Sequence, residues 1–283
     1  MATVITDDRH YKAIADTVRE ILISKENYKP SEMPNAINAV YAGGRADGYS
    51  EGRADGYAEG VAEGKQSEYN AFWDTFQKNG QRVNYDHAFS GDAAWTDGIF
   101  YPKHSMAPTS AANMFSKTGI TDLKGQLEEL DVTLDFSRCT NVANLFNSAV
   151  SVTRLPKMDF SSATSYASTF GWAAQLVSID EVVFNKNATA LTNMFAGCTR
   201  LTEVLFTGEI AANGLNLSAC KNLSQYSIET LIFALSANTS GYAVTLSLTA
   251  VNNAFGGADS TWWANLIGIR KNWSIALIDD TNG

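Results

Sequence analysis

A short phrase that ends in phenylalanine recurs five times between residues 83 and 200, and this internal repeat constrains the fold more than any other feature. The phrases YDHAF, SAANMF, NVANLF, SYASTF and ALTNMF end at Phe89, Phe115, Phe146, Phe170 and Phe195. Threonine stands six residues before four of these anchors, at Thr109, Thr140, Thr164 and Thr189. Because one unit of this size cannot bury its own apolar face, the repeat predicts a stack of small units whose phenylalanines and threonines form buried ladders.

A chance recurrence of phenylalanine in an ordinary globular domain is the alternative, and the shared threonine offset disfavours it. The anchors lie 24 to 31 residues apart, close to the leucine-rich-repeat period of about 20–29 residues. In the clearest unit, Leu201, Val204 and Phe206 have the spacing L-x-x-L-x-L. We expect these three side chains to point inward from a short strand.

The sequence MFAGCTRLTEVLF at residues 194–206 resembles the type V, BspA-like leucine-rich repeats, whose units have the form MF-x-x-C-x-x-L-x-x-L-x-L. The other copies match more loosely, since Thr169 replaces the methionine before Phe170 and the unit of Phe146 has no cysteine. The resemblance covers about residues 83–225. It implies a right-handed solenoid with a short strand in each repeat, used for binding rather than for catalysis.

After Phe195 the period fails, and residues 221–283 alternate between helical and strand patterns. The patterns predict helices at 227–235 and 261–267 and strands at 242–248 and 273–278, a terminal unit that would close a solenoid. The predicted fold class is α+β. It comprises an N-terminal helical attachment region (1–42), a glycine-stripe helical neck (43–82), a leucine-rich-repeat solenoid (83–220) and a C-terminal α/β cap (221–283).

Residues 43–68 carry glycine at every fourth position, at Gly44, Gly48, Gly52, Gly56, Gly60 and Gly64. One interpretation is a flexible linker. The other is a helix with a glycine stripe, favoured by the intervening helix formers and the absence of proline. Each interior glycine costs about 0.5–1 kcal/mol relative to alanine, so such a helix needs a close partner, most simply the same segment of another subunit.

The phrase YKPSEMPNAI at residues 28–37, followed by the glycine stripe, resembles the leader of tail and minor structural proteins of phages that infect Gram-positive or gut bacteria. The resemblance covers about residues 1–80. It implies a homotrimer that is located in the virion tail and attached through its N-terminal region to other tail or baseplate proteins. Such a protein is made in the host cytoplasm without a signal peptide, and the N-terminus has no secretory pattern.

The formal net charge of −9 disfavours a nucleic-acid partner and an anionic membrane surface. No apolar stretch of about 18 residues is present, so we expect no membrane insertion. The three cysteines, Cys139, Cys198 and Cys220, form no C-x-x-C pair, which excludes a zinc knuckle or a dithiol redox motif. We interpret Cys139 and Cys220 as small buried core residues.

Few residues offer catalytic chemistry. Four acidic residues cluster within residues 122–131, namely Asp122, Glu128, Glu129 and Asp131. We interpret them as a solvated edge because no histidine or nucleophile accompanies them. His87 and His104 lack a partner at metal-ligand spacing. Trp262, Trp263 and Trp273 could stack on sugar rings, but packing of the C-terminal unit is the favoured interpretation. We predict no enzyme activity, metal or cofactor.

These patterns predict a tail-tip or fibre protein that recognises the host cell surface without cleaving it. A purely structural tail component and a BspA-like bacterial adhesin are the alternatives, and the adhesin would require export. The acidic balance favours a neutral glycan or a surface protein over a bare polyanion. From the alternation around each strand, the predicted ligand-binding residues are Thr202, Glu203, Leu205, Thr153 and Arg154.

Overall fold

The computed structural model describes residues 84–279, with the exception of 92–97, 99, 101, 103–104, 190 and 239–240. All described residues belong to one compact unit, Glu68–Gly283. The predicted attachment region (1–42) and neck (43–82), with all six glycines of the stripe, lie outside the described residues, as does His104.

The described residues form seven strands and four short helices, in the order α1 (Leu123–Glu129), β1 (Arg154–Leu155), β2 (Met158–Asp159), β3 (Ser178–Phe184), β4 (Glu203–Gly208), β5 (Leu215–Leu217), α2 (Gln225–Ala234), β6 (Tyr242–Ser247), α3 (Leu248–Phe255), α4 (Thr261–Gly268) and β7 (Trp273–Ile278). None of the helices among these residues is long and apolar enough to cross a bilayer.

Two small parallel sheets contain these strands. In the first, β3 is central: β1 and β2 pair with successive parts of one of its edges, and β4 pairs with the other. In the second, β6 lies between β5 and β7. Every pairing within the two sheets is parallel, so the chain must cross over between paired strands, and the helices and turns supply those crossings.

Equivalent phenylalanines of successive repeats are in contact in the core. The rings of Phe115 and Phe146 stack with centroids 5.1 Å apart, those of Phe146 and Phe170 lie 6.1 Å apart, and those of Phe170 and Phe195 lie 5.2 Å apart. Phe89 lies 5.4 Å from Phe115 in a tilted arrangement. All five rings are buried, so one continuous aromatic column runs through four successive intervals of the repeat.

Three serines start the helices of the C-terminal region. Ser224, Ser247 and Ser260 each accept the backbone N–H three residues ahead, which satisfies an otherwise unpaired donor of the first turn. The structure contains the predicted helices and strands of this region with shifted ends. It adds α3, because Ser247 ends β6 one residue before the predicted end of the strand and caps a helix in a stretch to which the pattern assigns no element. Gly256, with φ of 73°, ends that helix.

The predicted fold class, an α+β chain built on a leucine-rich-repeat solenoid, is wrong. That fold needs one strand from every repeat in a continuous sheet, whereas the described residues form two separate small sheets and four short helices. Among the described residues before Arg154, the repeats contribute only isolated bridges, such as Asn84 with Ser110 and Asn141 with Ser165. The repeats also differ in length, and the longest, between Phe115 and Phe146, includes α1.

Candidate binding surfaces

The first candidate surface, called here the strand surface, is the outward face of β1–β4. A bulge in β3 shapes it: Ile179 pairs with Val204 and Val182 pairs with Phe206, so Asp180 and Glu181 together oppose the single residue Leu205. A bulge re-aims side chains locally and strengthens the twist. Both carboxylates thereby become available to groups on neighbouring segments.

Ion pairs connect the strand surface. Lys124 Nζ lies 2.7 Å from Asp180 Oδ1, and Lys157 Nζ lies 2.9 Å from Glu181 Oε2. Thr207 Oγ1 donates a hydrogen bond of 2.6 Å to Glu181 Oε1. This hydrogen bond, and then the ammonium of Lys157, lower the pKa of Glu181. The same pairing with Glu181 raises the pKa of Lys157.

A groove of about 520 Å³ lies beside this network. Its floor includes Leu127, Leu134 and Phe136, which are buried core residues. Its rim carries charged side chains of both signs: Lys124, Glu128, Asp131, Asp135, Lys157 and Asp159. An apolar floor with a charged rim suits an amphipathic ligand.

The predicted acidic cluster is divided by the structure. Asp122 caps α1 by accepting the N–H of Gly125 at 3.1 Å, and it pairs with the guanidinium of Arg154. Glu128 and Asp131 are exposed on the groove rim, and Glu129 is exposed on α1. Asp122 therefore has a structural role, and the other three acids are solvated, as the sequence interpretation expects.

The five predicted ligand-binding residues lie along one line of the first sheet. Arg154 pairs in register with Ser178, which pairs with Glu203. Thr153 and Thr202 precede them and donate their hydroxyls to the carbonyls of the preceding repeat, at 2.9 and 3.0 Å. Leu205 is half-buried opposite the bulge. Arg154 and Glu203 are the members of this set whose side chains are exposed.

The threonine ladder has a different form from the one predicted. Thr140, Thr164 and Thr189 are exposed, not buried. Their hydroxyls donate to the carbonyls of Thr109, Thr140 and Thr164 at 3.2, 3.4 and 3.0 Å, alongside backbone hydrogen bonds between the same residues. The expectation of burial fails because the carbonyl acceptors lie along the surface edge of the stack. The period at this offset reflects hydrogen bonding, not packing.

The second candidate surface, called here the turn surface, is formed by the turns around the anchor phenylalanines. Two residues before each anchor, the backbone has positive φ, at His87, Asn113, Asn144, Ser168 and Asn193. Two residues after each anchor it is again positive, at Gly91, Lys117, Ser148, Trp172 and Gly197. Backbone hydrogen bonds align the turns, for example from Ser148 N to Gly171 O at 2.7 Å.

Trp172 is the unusual member of this set. A bulky residue with φ of 59° is a conformational outlier, and its side chain is 48% exposed. The indole lies over the next turn, because a Cβ placed on Gly197 would be 3.0 Å from Trp172 Cδ1 and 3.3 Å from Cγ. The absence of a side chain at Gly197 thus leaves room for the ring and keeps it uncovered.

The tryptophans predicted as alternatives for sugar stacking have other positions. Trp263 and Trp273 are buried in the C-terminal core, in agreement with the packing interpretation. Trp262 is 55% exposed but contacts Phe255 edge-on, with ring centroids 6.0 Å apart. Trp172 was not among the predicted site residues. Its offset from the anchor could have found it, since the equivalent positions hold lysine, serine and glycine, which are typical of surface.

All three cysteine thiols are free and buried. Burial raises the pKa of Cys139 to about 11 and that of Cys198 to about 12, and it raises that of Cys220 as well. Neutral thiols of this kind are poor nucleophiles and poor metal ligands. Within the part of the chain that the structure describes, no three histidine, cysteine or acidic side chains are grouped so that they could hold a metal ion.

Comparison of the chain with protein-family models, with curated proteins and with solved structures finds no match. The chemistry of the two surfaces is therefore the basis on which a function is assigned.

Proposed function

We propose that this chain is a tail-tip or fibre protein of a phage and that it binds the host cell surface without cleaving it. The sequence resemblance at residues 28–37 supplies the class of protein. The chemistry of the turn surface supports a binding role. A second copy of the N-terminal segment and other tail or baseplate proteins are the proposed partners of residues 1–82.

One observation carries the proposal. Successive turns share the same backbone conformation, yet the residue two positions after the anchor changes from Lys117 to Ser148, Trp172 and Gly197. A constant backbone frame that presents different side chains is the arrangement used by recognition surfaces on rigid scaffolds. Trp172 is the residue whose exposure and conformation are hardest to explain by stability alone.

Competition for adsorption tests the proposal. The purified full chain should bind susceptible cells, fail to bind resistant cells, and reduce the adsorption of virions in proportion to its concentration. It should release no soluble fragment from isolated cell envelopes. A full chain that does not bind and does not compete would favour the purely structural role in the tail, and release of envelope fragments would favour an enzyme.

Self-association through the six glycines of the stripe is a separate part of the proposal. Sedimentation of the full chain should give the mass of a trimer. Replacing Gly52 and Gly56 by leucine should reduce that mass, because close approach of helices depends on residues without side chains. A monomeric full chain would contradict this part, whatever the outcome of the adsorption experiment.

A further inference from the structure

We infer that Trp172 is a stacking platform for a neutral sugar ring. The inference rests on the proposed function, which it deepens by naming the class of ligand. Three observations support it: the indole is half-exposed, the backbone beneath it is held at positive φ, and the neighbouring position in the next turn is a glycine.

Conformation supplies the first step. The left-handed region is unfavourable for a residue other than glycine, because its Cβ crowds the following carbonyl. At the equivalent positions of other turns this cost is avoided by Gly91 and Gly197. Trp172 has the same conformation with one of the largest side chains and leaves almost half of that side chain in solvent. Burial of the other half can offset this cost, but it gives no reason for the half that stays in solvent, which a role outside folding explains.

The ring's surroundings supply the second step. The indole lies over Gly197, whose virtual Cβ would contact Cδ1 and Cγ. Ser148 lies beside it on the preceding turn, since its N–H donates to Gly171 O at 2.7 Å. Ser148 Oγ donates to Asn147 Oδ1 at 2.8 Å. The ring thus lies against the backbone of the next turn, and the preceding turn carries hydroxyl and amide groups.

The charge of the residues around Trp172 indicates which class of ligand its exposed indole would bind. Residues 141–150, 166–175 and 191–199, which form the three turns around Trp172, contain no charged side chain, and the adjoining Arg200 donates its guanidinium to Gln175 Oε1. A cation on the ring face would normally be supported by a nearby carboxylate, and a polyanion by basic groups. A neutral pyranose needs neither: its C–H face is attracted to the negative face of the ring, and its hydroxyls bond to amides and hydroxyls.

A panel of immobilised neutral oligosaccharides, built from hexoses and N-acetylhexosamines, is the direct test. We expect the full chain to bind at least one of them. Trp172→Gly should weaken that binding at least about tenfold, while Trp172→Phe, which keeps an aromatic face, should weaken it less. Trp262→Ala is the matched control: it removes a tryptophan of similar exposure from a helix and should leave binding unchanged.

Trp172→Gly is the decisive variant because glycine accepts positive φ, so relief of the backbone conformation offsets the lost packing of the half-buried indole and the protein should still fold. Loss of binding in this folded variant then identifies the indole as a ligand contact. The inference is overturned if no neutral glycan binds, if Trp172→Gly binds as tightly as the unmodified chain, or if Trp262→Ala loses binding equally.

Cell adsorption separates this inference from the proposed function. If the unmodified chain binds susceptible cells and Trp172→Gly binds them equally well, the sugar platform is wrong and the recognition role stands. If the unmodified chain binds neutral glycans through Trp172 but does not compete with virions for cells, the sugar platform stands and the proposed role in host recognition is wrong.

Discussion

On the turn surface the backbone repeats and the side chains change, whereas on the strand surface the backbone changes and the side chains are linked by charge. Each turn has positive φ two residues on either side of its anchor phenylalanine. The strand side instead ranges from isolated bridges to a seven-residue strand with a bulge. Its charged groups pair with one another, as Lys124 does with Asp180 and Lys157 with Glu181.

This difference shows which part of the repeat determines the spacing of the phenylalanines. The period is set by the turn, where a buried phenylalanine stacks on its equivalents and fixed dihedral angles leave little freedom. The strand segment between two turns tolerates insertion, as the helix α1 demonstrates. The turn surface is therefore rigid and suited to presenting single side chains. The strand surface differs from one repeat to the next, and its ion pairs connect the segments.

The largest effect is expected in the aromatic column. Phe146→Ala, Phe170→Ala or Phe195→Ala should each destabilise the protein by about 3–5 kcal/mol, because each removes a buried ring that stacks within the column and leaves a cavity. Chemical denaturation measures this change. Phe233→Ala is the control, since Phe233 is 57% exposed, and its effect should stay within about 0.5 kcal/mol. Equal midpoints for both kinds of variant would contradict the column.

A close backbone approach on the strand surface gives the next effect. A Cβ on Gly208 would lie 2.3 Å from Phe184 O, and Gly208 has φ of 74°. Gly208→Ala should therefore destabilise by about 2–4 kcal/mol, from the clash and the backbone conformation together.

Gly256→Ala separates the two contributions to that effect. Gly256 has nearly the same φ, 73°, but no atom lies within 4 Å of its virtual Cβ. Its substitution should cost only the conformational part, about 1–2 kcal/mol. If both alanine variants lose the same stability, the approach of β4 to β3 is looser than the structure indicates.

The sequence predicts the structure correctly where the turns determine it and incorrectly where the pairing of strands determines it. The phenylalanine spacing correctly brings Phe115, Phe146 and Phe170 into one column, because aromatic packing imposes its period on the sequence. The same spacing gives no information on whether a strand joins a continuous sheet, since pairing depends on the length of the segment between anchors. The assumption of one strand per repeat produced the wrong fold class.

The positions of individual side chains are likewise predicted correctly in some cases and incorrectly in others. The inward direction of Leu201, Val204 and Phe206 follows from their spacing, and all three are buried. The threonine offset predicts buried side chains whose hydroxyls bond to neighbouring backbone; the hydrogen bonds are present, but the side chains are exposed, because periodicity alone does not distinguish packing from hydrogen bonding. Trp172 was not predicted as a site residue. Its conformation depends on a dihedral angle and its exposure on the glycine of the next repeat, and neither is visible in a single repeat unit.

The turn surface should become more stable when its strained positions are relieved. Lys117 has φ of 58° and an exposed side chain. Lys117→Gly removes the left-handed cost of about 1–2 kcal/mol and adds about 0.5–1 kcal/mol of chain entropy, so we expect a net gain of roughly 0.5–1 kcal/mol. Lys117→Ala keeps the unfavourable conformation and should give no gain. Thermal denaturation of the two variants measures the difference, and a gain for alanine equal to that for glycine would contradict it.

The smallest effect is expected at the ion pairs of the strand surface. The hydrogen bond from Thr207 and the charge of Lys157 lower the pKa of Glu181. A carboxyl whose pKa is lower in the folded state stabilises the fold above its unfolded pKa of about 4.3. That contribution is lost as the pH falls through the folded value. Because the pair is partly exposed, its total should be about 0.2–1 kcal/mol.

Glu181→Gln should therefore lower stability at pH 7 by at most that amount and flatten the dependence of stability on pH below about pH 5. The loss should shrink in molar salt, since the interaction with Lys157 is screened while the hydrogen bond with Thr207 is not. Glu129→Gln is the control, because Glu129 is exposed on α1 and lies outside these ion pairs. If both variants change the pH dependence of stability equally, Glu181 acts only through the net charge of the protein. Its position in the bulge of β3 then adds no specific electrostatic stabilisation.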